Sequence, residues 1–126
     1  MPATSFPDYV QDLMDVLNQI TASDAVTLKN FEVDQRSSAL GYISGILDFD
    51  DGSSLHFKEF VNTRLSNCKM MYSYHYQDVS NNLIFRYDNA AHKPTLPQAE
   101  HKHLPSGIEL RQAPKLIEVF DEILGY

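Results

Sequence analysis

The chain has 126 residues, 43% hydrophobic and 21% charged, which is one domain's worth and enough to bury one real core. No apolar run approaches the roughly 20 residues that cross a bilayer. Residues 1–8, Met-Pro-Ala-Thr-Ser-Phe-Pro-Asp, lack the basic and apolar stretches of a secretion signal, so a cytoplasmic location is expected. The single cysteine, Cys68, excludes an internal disulfide and fits a reducing compartment. No motif flanks it, so it reads as a half-buried thiol rather than a nucleophile.

A net charge of −7 argues against a nucleic-acid partner until its distribution is read, because phosphate contacts need Lys and Arg. Residues 1–55 carry nine acids against two bases, whereas residues 56–117 carry eight bases, five acids and all five histidines. The middle of the chain therefore offers an anion-facing surface between acidic flanks that suit a basic partner. The alternative is chance clustering on a solvated face.

In chain order, residues 1–25 form the N-terminal segment, and its helix is marked by Pro7 and Asp8 in a first turn. Val10, Leu13, Met14, Leu17 and Ile20 then recur at helical spacing. From residue 26 the period changes to two, and strands are expected at 27–36, 39–49, 54–63, 69–77 and 83–88. Asp50-Asp51-Gly52 supplies a hairpin turn of the Asp-Gly kind. Alternation puts Leu55, Phe57, Glu59 and Val61 on one face of the third strand. In the fourth, Tyr72, Tyr74 and Tyr76 oppose Met71, Ser73 and His75. These tyrosines read as core packing, with base stacking as the alternative. Residues 89–113, which include Pro94, Pro97 and Pro105, keep no periodicity and read as a long His/Pro-rich loop. Residues 114–124 close the chain with a helix that Gly125 stops. No internal repeat is present. The expected fold is a single α+β domain: an antiparallel meander of about five strands with an N-terminal and a C-terminal helix.

The densest chemistry lies at Arg86, Asp88 and His92, followed by His101 and His103. Arg86 and Asp88 share a strand face. Arginine's planar fork is a natural phosphate clamp, histidine exchanges protons at cellular pH, and a carboxylate orients either one. Those parts suffice for cleaving RNA through its own 2′-hydroxyl. A surface ion pair between Arg86 and Asp88 is the plainer alternative. Two imidazoles one residue apart, with His92 or Asp88, also raise the possibility of zinc. Paired cysteines are absent and no metalloprotease helix motif is present, so neither metal nor cofactor is expected. A tetrahedral ion on His92, His101 and His103 would mark a metal-dependent hydrolase instead.

Phe57-Lys58-Glu59, Tyr74-His75-Tyr76, Arg86-Tyr87-Asp88-Asn89 with His92, and His101-Lys102-His103 together resemble the TumE-type toxins of prokaryotic toxin–antitoxin pairs, over roughly residues 27–124. The resemblance implies a small cytoplasmic toxin, neutralised by a helix-turn-helix antitoxin, that arrests growth by cleaving RNA. It maps function onto Arg86, Asp88, Asn89, His92, His101 and His103, with Glu59 and His75 as adjuncts. On that reading Arg86 holds the scissile phosphate, and one of His92, His101 or His103 protonates the leaving oxygen. Glu59 or Asp88 activates the 2′-hydroxyl, while His75, Tyr87, Asn89 and Lys102 contact substrate. Glu59, Arg86, Asp88 and at least one loop histidine are expected to converge in one pocket. The modest basic excess implies that RNA is met on a ribosome or by a homodimer. The rivals are a non-catalytic module that binds a protein or nucleotide, and a metal-dependent hydrolase.

Overall fold

In the computed structural model, which describes residues 5–66, 68–89 and 100–125, helix formation begins at Ser5. Its backbone is extended and its Oγ accepts a hydrogen bond from the Asp8 amide at 3.2 Å, satisfying one of the four donors a helix start leaves orphaned. The helix it caps, α1 (Phe6–Thr21), buries Phe6, Leu13, Leu17 and Ile20 along one stripe. The second helix, α2 (Leu116–Leu124), ends at Gly125 with φ 81°, where only a residue without Cβ is unstrained. No described helix is long and apolar enough to cross a membrane.

Between the helices run β1 (Val26–Gln35), β2 (Leu40–Phe49), β3 (Ser54–Asn62), β4 (Lys69–Gln77), β5 (Leu83–Asp88), β6 (His101–Leu104) and β7 (Gly107–Leu110). They form one seven-stranded sheet in sequence order, each strand antiparallel to the next. Both helices pack on one face. Phe120 of α2 stacks on Phe49, and the OH of Tyr9 in α1 donates to Glu59. Ile43, Leu47, Leu55, Phe57 and Tyr74 lie wholly inside. Tyr72 and Tyr76 are buried as well, so this tyrosine run is core and not a stacking platform for bases.

Among the described residues the meander has seven strands rather than five. The described part of the 89–113 segment, expected as loop, holds the β6–β7 hairpin, while residues 90–99 lie outside the described residues. Four-residue strands around Pro105-Ser106 are too short to show alternation. They form because the exposed edge of β5 offers unpaired amides and carbonyls, and β6 satisfies them at Arg86↔His103, Tyr87↔Lys102 and Asp88↔His101. Glu100 anchors the base of the hairpin, its carbonyl accepting from the Arg111 amide and its carboxylate from the Ala113 amide.

Gly41 in β2 faces Phe6, and a Cβ there would meet the ring at 2.2 Å. Gly41→Ala is expected to lower stability by about 1–3 kcal/mol, the usual cost of overpacking a core. A urea midpoint unchanged from wild type would show that α1 shifts freely on the sheet.

Candidate active site

Strand alternation decides which side chains meet. Phe57 pairs with Tyr74 and Tyr74 with Tyr87, so these point at the helices and their chain neighbours point away. Two cross-strand rows result on the face turned from the helices. One runs His56↔His75↔Arg86↔His103, and the other Lys58↔Ser73↔Asp88↔His101.

Where the rows adjoin, the charged groups converge on Asp88. Arg86 Nε donates to Asp88 Oδ2 at 2.8 Å. His103 Nε2 lies 3.3 Å, and His101 Nδ1 3.8 Å, from Asp88 Oδ1. The two imidazole rings are 6.2 Å apart, edge to face. Asp88 and His101 are buried, whereas the side chains of Arg86 and His103 are 39% and 20% exposed. A molecule arriving from solvent therefore meets Arg86 and His103 first, with Asp88 behind them. Imidazole and carboxylate donors of Asp88, His101 and His103 all lie within 4.8 Å of one another.

On the other side of Arg86 sits His75. Burial and the nearby guanidinium hold its pKa below the ordinary histidine value. Its Nε2 meets Gln77 Oε1 at 3.1 Å, and its buried Nδ1 has no hydrogen-bond partner among the described residues. A carbonyl oxygen accepts only, so Nε2 carries the proton and Nδ1 keeps a free lone pair. His75 is thereby a neutral proton acceptor. His56, 6.2 Å away between ring centroids, continues the row. His56 is not among the residues expected from sequence; the signal that identifies it is its strand face, which pairs with that of His75 in β4.

Other expected site residues stand elsewhere. Glu59 lies on the helix face, 1% exposed, and accepts from Tyr9 OH and, at 2.5 Å, from Tyr74 OH. It does not join Arg86 and Asp88, because positions on opposite faces of a sheet cannot share a pocket. Lys69 Nζ donates to Tyr74 OH at 2.8 Å and to the Pro114 carbonyl. Burial lowers the pKa of Lys69 against the pull of Glu59, and the same burial, with Glu59, raises that of Tyr74. The group ties α1, the sheet and the approach to α2 together. It borders a cavity of about 620 Å³ whose wall includes Leu13, Cys68 and Leu116. Burial, then Glu59, also raises the pKa of Cys68, which keeps it a thiol and fits its reading as no nucleophile.

Tyr87 and Lys102 also face the helices. Both reach Glu122 of α2, at 2.5 and 2.8 Å. Asn89 is engaged with backbone, accepting from the Tyr72 amide at 3.1 Å and donating to the Met70 carbonyl at 2.8 Å, which prolongs the β4–β5 pairing. These three hold the fold around the cluster rather than pointing into it. His92 lies outside the described residues.

No curated protein and no solved structure matches the chain. A family model described as Toxin TumE matches residues 3–126. That span includes every strand of the sheet, both helices and the whole Arg86–Asp88–His101–His103 cluster, and the chain belongs to the TumE toxin family.

Proposed function

We propose that this toxin arrests growth by cutting RNA without a metal ion, on the sheet face turned from its helices. The family implies an antitoxin partner. In this reading the antitoxin is of the helix-turn-helix type and the substrate is RNA in the cytoplasm. The observation that carries the proposal is the order His75, Arg86, His103 across three neighbouring strands, with Asp88 behind Arg86 and His103. A phosphate clamp thus stands between a proton acceptor and a proton donor. Backbones of adjacent strands are about 4.8 Å apart, so the flanking imidazoles straddle a phosphate bound at Arg86.

Each group then has a defined task. Arg86 pairs with the non-bridging oxygens of the scissile phosphate and stabilises the charge that grows there. His75 takes the proton of the 2′-hydroxyl once rotation of its ring brings Nδ1, buried at rest, to the substrate. The 2′-oxygen attacks phosphorus, the bond from phosphorus to the 5′-oxygen breaks, and protonated His103 delivers its proton to that oxygen. The products are a 2′,3′-cyclic phosphate and a 5′-hydroxyl end. Asp88 positions Arg86 and His103 through its two carboxylate oxygens. This replaces Glu59 as activating group with His75, which shares a sheet face with the clamp.

The test is incubation of the purified chain with RNA across pH, with chelator present, and analysis of the new ends. Cleavage is expected to fall as pH drops through the pKa of His75, which lies below the ordinary value of about 6.5, because protonation removes the base. His75→Ala should remove this acid limb and lower the rate by about 10²–10⁴-fold. Intact RNA, or cleavage that the chelator abolishes, overturns the proposal.

A further inference from the structure

We infer that Asp88, His101 and His103 form a reversible zinc site whose occupation switches the RNA-cleaving centre off; the switching rests on the reading above, the metal site does not. Tetrahedral zinc with bonds of about 2.0–2.1 Å to nitrogen and oxygen places neighbouring donors about 3.3–3.4 Å apart. His103 Nε2 already stands 3.3 Å from Asp88 Oδ1, and His101 Nδ1 stands 3.8 Å away. All three donors fall within 4.8 Å, so small side-chain rotations complete three corners of a tetrahedron. Two imidazoles and one carboxylate form a donor set that suits zinc better than calcium or magnesium, which prefer oxygen alone.

The surroundings favour this use. His101 and His103 sit at i and i+2 of β6, so the strand itself aims both rings at one point. Arg86 holds Asp88 Oδ2, which fixes the carboxylate with Oδ1 turned to the imidazoles, as outer-sphere partners fix metal ligands. The same guanidinium repels a doubly charged ion. Binding is therefore reversible, unlike that of a structural zinc. A bound ion on His103 Nε2 takes the place of one of the two ring protons an imidazolium needs, so His103 has no proton to deliver and zinc and cleavage exclude each other.

The purified chain is titrated with zinc by calorimetry and with cobalt(II) by visible absorption, and RNA cleavage is followed with zinc or chelator. One ion per chain is expected. His103→Ala should weaken binding by at least about 10–100-fold, the usual cost of even an outer-sphere change. His103 is the lead variant because its side chain is part exposed, whereas truncating fully buried His101 endangers the fold; Asp88→Asn is the second. His56→Ala should bind zinc as wild type does, which excludes ligation by surface imidazole in general. No binding, or binding indifferent to both His103→Ala and Asp88→Asn, overturns the site. Faster cleavage with zinc overturns the switch. A chain that binds zinc through these residues yet cuts no RNA even with chelator upholds the site and sinks the cleavage reading instead.

Discussion

Inducing this chain without an antitoxin is expected to stop colony formation, and Arg86→Ala is expected to restore it while leaving the domain folded. The expectation rests on where Arg86 sits. It stands on β5, its side chain is 39% exposed, and among the described residues Asp88 engages it through Nε. The rest of the guanidinium fork is thus available to a phosphate. Losing one donor to an anionic transition state costs about 10²–10³-fold in rate. If the Arg86–Asp88 contact were only a structural ion pair, its loss would cost stability and leave toxicity intact. Asp88 keeps His101 and His103 nearby in the variant, so the fold should survive. Colony counts and a thermal melt of purified Arg86→Ala decide between the two. A folded variant that remains fully toxic removes Arg86 from the chemistry, and a harmless wild type removes the toxin mechanism altogether.

The second large effect falls on stability. Glu59→Ala should lower the free energy of unfolding by about 3–5 kcal/mol, the usual result of removing one partner from a buried charged cluster. The substitution strands the hydroxyls of Tyr9 and Tyr74 and leaves Lys69 without the carboxylate that favours its charge. Against a total of about 5–15 kcal/mol this is a large share. Glu59→Gln, which can still accept from one tyrosine, should lose less. Urea unfolding measures both. A Glu59→Ala protein as stable as wild type yet no longer toxic would return Glu59 to the reaction, against its place on the helix face.

How much of this could be read in advance depends on the range of each interaction. Helix α1 and strands β1 to β5 were legible to within a residue or two, because amphipathic period and turn residues are local signals. The Val10–Ile20 stripe, the Asp51-Gly52 turn and the alternation around Tyr74 each report on a few adjacent positions. Strands β6 and β7 were not legible. β6 carries no apolar alternation, that of Ile108 and Leu110 in β7 is only four residues long, and both strands extend because the edge of β5 is there to be paired. The site divides the same way. Arg86, Asp88, His101 and His103 were identifiable as residue types that hold anions and move protons, and the i, i+2 relation within each pair followed from strand geometry.

The sequence alone determined the α+β class, the five leading strands, both helices and the residues able to do chemistry. Tertiary structure decided which of them meet. Register set His75 beside Arg86 and Arg86 beside His103. The same pleat sent Glu59, Tyr87 and Lys102 to the helix face, where they bond Tyr74 and Glu122 instead. The reason is the two-residue period of a strand: a shift of one position reverses a side chain's face, and only the pairing of distant strands fixes which face is buried.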